Sequence, residues 1–166
     1  MKRIILIGVI ALMFQACGSC TVDVDDVVWE RLPVRIGVLR DSLTPDIEEA
    51  IEKLNESLGD VYVIDNSNPQ VVISCDYKMA EEKEIGRYNL TFSSDYAWSP
   101  VYFDTGYIVT RCDYEDHVTT LAHELYHTLG FVGHSEDPSC ISHHEYRPIM
   151  GMCQEMIDNF NQKYGR

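Results

Sequence analysis

His123-Glu124-Leu125-Tyr126-His127-Thr128-Leu129-Gly130-Phe131-Val132-Gly133-His134 has the spacing HExxHxxGxxxH. On an α-helix, residues four apart share a face one turn apart, so His123 and His127 can aim both imidazoles at one point. Neutral imidazole nitrogen is a good donor to Zn²⁺, with bonds of about 2.0–2.1 Å. Glu124, next to the first of these ligands, is placed to take a proton from a water activated at the metal. That arrangement belongs to zinc-dependent hydrolysis.

Taken alone, HExxH also recurs by chance, on solvated helices with two surface histidines. The flanks set this stretch apart. Glu115 to Ala122 reads as helix, with Glu115 and Asp116 in the first turn, where the helix dipole favours acids. Val118, Leu121, Ala122, Leu125 and Leu129 recur at helical spacing and give the helix an apolar face. Gly130 ends that face as a helix stop. A turn there brings a third ligand, His134, back towards the metal. His143, His144 and Asp137 are the other residues able to fill that third position.

Over about residues 34–166, and most strongly from Ile108 to Met152, the chain resembles the metzincin metalloproteases, in their matrixin-like branch. Members carry HExxHxxGxxH and then a methionine turn beneath the metal. Arg147-Pro148-Ile149-Met150-Gly151-Met152 looks like that turn, with Met150 as the counterpart of its methionine. Cys153 to Gly165 looks like the C-terminal helix of the family, ending in Tyr164-Gly165. There are two departures. His134 follows Gly130 by four residues rather than three, and Gly133 gives the turn freedom to absorb the extra one. Met152 stands where some metzincin branches carry a tyrosine. The resemblance implies His123, His127 and His134 as zinc ligands, Glu124 as general base and then general acid, and a peptide or protein substrate.

The order of elements agrees with an α/β (α+β) domain. Val34-Arg35-Ile36-Gly37-Val38-Leu39 alternates as a strand. A helix starts at Thr44 or Asp46, around Pro45, and runs through Ile47, Ala50, Ile51, Leu54 and Leu58 to a stop at Gly59. Val61–Ile64 and Val71–Cys75 are two further strands, with a turn from Asp65 to Pro69 between them. Val101–Phe103 and Tyr107–Thr110 are expected as an antiparallel pair around the tight link Asp104-Thr105-Gly106. The expected fold is a metzincin-like twisted mixed sheet of about five strands with two helices packed on it. A small C-terminal subdomain carries the methionine turn and the terminal helix. Residues 79–98, with Tyr88, Tyr96 and Trp98, read either as an ordinary long loop or, by the resemblance, as the approach to a strand lining the rim of a peptide cleft.

Residues 1–16 form an export signal: Lys2-Arg3, then an apolar run from Ile4 to Phe14 too short to span a bilayer. Phe14-Gln15-Ala16-Cys17 looks like a bacterial lipoprotein processing site, with Cys17 as the lipidated residue and Cys20 as the alternative. Residues 17–33 are expected as a solvated tether bearing Asp23, Asp25 and Asp26, and residues 34–166 as the catalytic domain. The formal charge is −14, and removal of Lys2 and Arg3 makes it more negative. Such a chain repels phosphates, which excludes nucleic acid as a partner and leaves lipid as the contact with membrane. Six cysteines suit an oxidising compartment. Cys75 and Cys112 lie near the ends of two expected strands and can pair across the sheet. Cys140 and Cys153 bracket the methionine turn and can staple it. Spacing alone leaves the connectivity open.

These features give an exported, lipid-anchored, monomeric zinc endopeptidase, facing the cell surface or the periplasm. Two alternatives stand beside it. One is a non-catalytic zinc- or peptide-binding surface lipoprotein, against which the intact Glu124 argues. The other is a zinc hydrolase of non-protein substrates. With only residues 17–33 before the first strand, no large pro-domain is expected. Cys20, Asp23, Asp25 and Asp26 are chemically able to occupy the metal's open position, but the anchored chain is expected to be active as made.

Overall fold

Val34, Ile36 and Val38 alternate with Arg35 and Gly37, and the segment forms strand β1 (Val34–Val38). The computed structural model describes residues 27–79, 85–93, 102–143 and 151–165. After β1, a short 3₁₀ turn (Asp41–Leu43) leads into α1 (Thr44–Leu58), with Pro45 in its first turn. Pro is favoured there because its missing N–H has no partner to lose. Ile47, Ala50, Ile51, Leu54 and Leu58 form the buried stripe of α1, and Gly59 ends it at φ 78°. Strands β2 (Tyr62–Ile64), β3 (Val71–Asp76), β4 (Gly86–Ser93) and β5 (Tyr102–Arg111) follow, then α2 (His117–Thr128) and α3 (Gln154–Tyr164).

The five strands make one mixed sheet in the order β2-β1-β3-β5-β4. β1 runs parallel to β2 and β3, and β3 parallel to β5. β4 is antiparallel to β5 and lies on the edge. α1 and α2 pack against each other, α1 also touching β2, and α2 touching β4 and β5. Ile36, Ile73 and Ile108 from the sheet, Ile47 and Leu54 from α1, and Leu121 and Leu125 from α2 are fully buried between these layers. Truncating such a leucine to alanine costs about 2–5 kcal/mol. Met156 and Phe160 seat α3 in the same core. Among the described residues, no helix is long and apolar enough to cross a membrane.

The expected hairpin around Asp104-Thr105-Gly106 is not formed: residues 102–111 are one continuous strand. Gly106 does not turn the chain. It makes room for neighbours on both sides, since a Cβ there would lie 2.9 Å from Leu90 Cδ2 and 3.0 Å from Val71 Cγ2. The antiparallel partner is β4, which replaces much of the long loop considered for residues 79–98; Tyr96 and Trp98 lie outside the described residues.

The boundary at Val34 also moves. Val27 and Trp29, placed in the tether by sequence, are buried in the core. Val28 bridges to Tyr102, its carbonyl accepts from the Phe103 N–H at 2.9 Å, and the Trp29 indole N–H donates to the Thr128 carbonyl at 2.7 Å. The apolar run Val27-Val28-Trp29, between Asp26 and Glu30, is too short to show a period, so the pattern could not place it.

Both expected disulfides are present. Cys75–Cys112 ties the end of β3 to the segment after β5, and Cys140–Cys153 ties the turn at Cys140 to the start of α3.

Candidate metal centre

Asp116 caps α2: its carboxylate accepts from the Thr119 N–H at 3.0 Å and the Thr119 hydroxyl at 3.1 Å. From Thr119 to Thr128 every residue of the helix is buried except His123, which is partly so. This disposes of the solvated-helix alternative. The hydroxyls of Tyr62 and Thr128 both reach the Leu125 carbonyl and fix the helix to β2. At the other end, Gly130 takes φ 88°, and a Cβ there would lie 2.7 Å from Lys163 Nζ and 2.8 Å from Phe103 Cε2. Glycine alone meets both demands. Lys163 donates to the Gly130 carbonyl at 2.7 Å and Tyr164 to the Leu129 carbonyl at 3.0 Å, so α3 holds the turn that leads to His134.

That turn brings His134 back to the helix. The potential ligand atoms of His123, His127 and His134 all lie within 4.8 Å of one another, so these three residues form a group able to hold a metal ion. The ring centroids of His134 are 5.2 Å from those of His123 and 5.0 Å from those of His127. The extra residue after Gly130 is thereby absorbed, with Gly133 in open space. Of the other third-position candidates, Asp137 and His143 are not in the group. The Asp137 carboxylate instead accepts from the N–H and hydroxyl of Ser139, which hold it below the usual carboxylate range. His144, Met150 and Cys17 lie outside the described residues.

The tautomers follow from the second nitrogens. His123 Nδ1 faces the Ile141 carbonyl at 2.7 Å, and His127 Nδ1 faces the Phe131 carbonyl. A carbonyl only accepts, so each Nδ1 carries hydrogen, and each Nε2 of a neutral ring presents a lone pair. Those two Nε2 atoms stand 3.0 Å apart. Burial is the main cause that lowers the pKa of both rings, that of His127 to about 4, so both are neutral at pH 7. Two lone pairs at this distance repel unless a cation is shared between them. A bound metal ion would answer that repulsion, and the donor set of three imidazoles fits Zn²⁺.

Glu124 is buried beside the triad. Its carboxyl packs against β4 at Gly86: a Cβ there would lie 2.8 Å from Glu124 Cγ and 2.9 Å from Cδ. Tyr88, two residues along β4, stacks on His127 with ring centroids 4.7 Å apart. Burial raises the pKa of its phenol, and the Glu124 carboxylate nearby raises it further. A cavity of about 740 Å³ opens beside His134, between Phe131, Val132 and Tyr126 on one side and Met156 and Lys163 on the other. Sequence reasoning did not place Gly86, Phe131 or Ile141 at the site, and it named Tyr88 only, by the resemblance, in the approach to a strand lining a cleft rim. Tyr88, Leu90 and Phe92 do alternate at strand period, a signal present in the sequence.

No protein-family model matches this sequence, and no curated protein matches it either. The assignment of function therefore rests on the residues and their geometry.

Proposed function

We propose that the chain is a zinc-dependent endopeptidase of metzincin type, exported and held to a membrane by lipid on Cys17. The observation that carries this reading is the pair of His123 and His127 lone pairs fixed 3.0 Å apart, with His134 completing the group and Glu124 buried alongside. His123, His127 and His134 would hold Zn²⁺. When bound, the metal lowers the pKa of a water and polarises a carbonyl oxygen. Glu124 takes the proton of the attacking water on its carboxylate and delivers it to the nitrogen of the leaving amine. The bare Cα of Gly86 leaves space for that carboxyl. Tyr88 covers one face of His127 and keeps water from it.

The edge position of β4 supports a peptide as substrate. An extended peptide can add to an exposed strand edge through main-chain hydrogen bonds, with alternate side chains directed to the site. The cavity beside His134 has room for one such side chain. The two disulfides agree with export to an oxidising compartment.

The test is peptide cleavage by the purified chain with and without a chelator. Cleavage should stop on chelation and return with Zn²⁺. His134→Ala should abolish it and His143→Ala should not. Cleavage that survives chelation, or dependence on His143 in place of His134, contradicts the assignment.

A further inference from the structure

The turn from Cys140 to His143 touches the candidate metal centre twice. The Ile141 carbonyl accepts from His123 Nδ1 at 2.7 Å and so sets the tautomer and plane of that ring. The next carbonyl, of Ser142, accepts from the N–H of Ser135 at 3.1 Å, and Ser135 is the chain neighbour of His134. Ser135 and His143 complete that pairing as an isolated bridge. Two of the three ligands are therefore located by consecutive carbonyls of one short turn. His127 is different. Its partner, the Phe131 carbonyl, lies four residues away in its own chain segment.

What locates the turn is α3. Cys140 is buried and bonded to Cys153, which caps the start of that helix. Within the turn, the Cys140 N–H donates to the Asp137 carbonyl and the His143 N–H to the Cys140 carbonyl, both at 3.0 Å. Two residues beyond Cys153, Glu155 Oε2 accepts from the Ser135 hydroxyl at 2.6 Å. The first turn of α3 thus grips the segment of each outer ligand: that of His123 through the disulfide and Ile141, that of His134 through Glu155 and Ser135.

We propose that the Cys140–Cys153 disulfide is a positioning element of the metal site, setting metal affinity by fixing the carbonyls that orient His123 and locate His134. The proposal rests on the metal-site reading above. Removing partners that orient a metal ligand lowers affinity by about 10- to 100-fold. The second disulfide supplies the control, because Cys75–Cys112 joins β3 to the segment after β5 and neither cysteine adjoins a ligand or a ligand's carbonyl partner.

The experiment is a Zn²⁺ affinity measurement by chelator competition on the full chain. It compares the parent, the Cys140→Ser/Cys153→Ser pair and the Cys75→Ser/Cys112→Ser pair. Cobalt absorption spectra on each report ligand geometry, and thermal unfolding of the metal-free forms reports stability. The Cys140/Cys153 pair should lose about 10- to 100-fold in affinity and change its cobalt spectrum. The Cys75/Cys112 pair should lose thermal stability while keeping the parent's affinity and spectrum. Should the Cys140/Cys153 pair not fold, Glu155→Ala loosens the same bracket from α3 and should lower affinity. Parent-like affinity in the folded variant, or equal losses in both cysteine pairs, overturns the proposal. A parent chain that binds no Zn²⁺ overturns the metal-site reading itself, and the proposal with it.

Discussion

The phenol ring of Tyr88 lies on the imidazole of His127, centroids 4.7 Å apart and planes 19° from parallel. The contact joins the edge strand of the sheet to the middle ligand of the triad. Such aromatic pairs are worth about 0.5–1.5 kcal/mol beyond their buried area. Tyr88→Ala should therefore weaken Zn²⁺ binding by a factor of about 2–10, while Tyr88→Phe should leave it unchanged. Chelator competition measures both. Equal losses in the two variants would show that the hydroxyl, and not the stacked ring, is what matters.

Gly86 faces Glu124 with no side chain between them. Alanine there puts a Cβ within 3 Å of the Glu124 Cγ and Cδ, closer than carbon atoms pack. Gly86→Ala should displace the carboxyl and reduce peptide cleavage by at least about tenfold while Zn²⁺ stays bound, because misplacing a catalytic group is costly. Metal analysis beside a cleavage assay distinguishes this from loss of the site. Full activity in the variant contradicts the placement of Glu124.

Burial lowers the pKa of His127 to about 4, against 6.5 for the unconstrained group. Between those values the unfolded chain binds more protons than the folded one, so stability rises with pH across the window. Without metal, the protein should lose stability as pH falls from 6.5 towards 4, by up to about 3 kcal/mol from this residue. Urea unfolding of the metal-free chain at a series of pH values should show that slope, and His127→Gln should reduce it. A variant with the parent's slope contradicts the cause assigned.

Val27 and Trp29 belong to the folded core. A chain beginning at Pro33 loses both, together with the Trp29 bond to the Thr128 carbonyl at the end of α2. Removing a buried tryptophan costs about 3–5 kcal/mol. The chain from Pro33 should unfold at much lower urea than the chain from Val27. A test of inhibition by the N-terminal segment should thus compare the full mature chain with the one from Val27. Equal stability of the two shorter chains contradicts the packing of Trp29.

The parts legible in sequence were those written locally. The helical period of Val118, Leu121, Leu125 and Leu129, and the stop at Gly130, placed α2 and two of the histidines. The Pro45 start and Gly59 stop placed α1 in the same way. Cys75 with Cys112 was one pairing that the expected strand ends allowed, and the sheet, not the spacing, brings the two together across 37 residues. What failed depended on distant neighbours. Gly106 reads as a turn residue, yet its lack of a side chain serves close approach to Leu90 and Val71 within a strand. β4 owes its place to a long-range pairing with β5 that its polar start does not announce, and Tyr88 gains its contact with His127 only once α2 lies beneath it. The carbonyls of Ile141 and Phe131 carry no side-chain signature at all.

The central claim is that the histidine group and Glu124 together hydrolyse peptide bonds. Digestion of a peptide library by the zinc-loaded parent and by zinc-loaded Glu124→Ala, with products identified by mass spectrometry, tests it most directly. The account predicts internal cleavage by the parent and intact peptides with Glu124→Ala at unchanged zinc content, since Glu124 is a base and not a ligand. A zinc-loaded parent that leaves every peptide intact, or a Glu124→Ala variant that cleaves as the parent does, would contradict it.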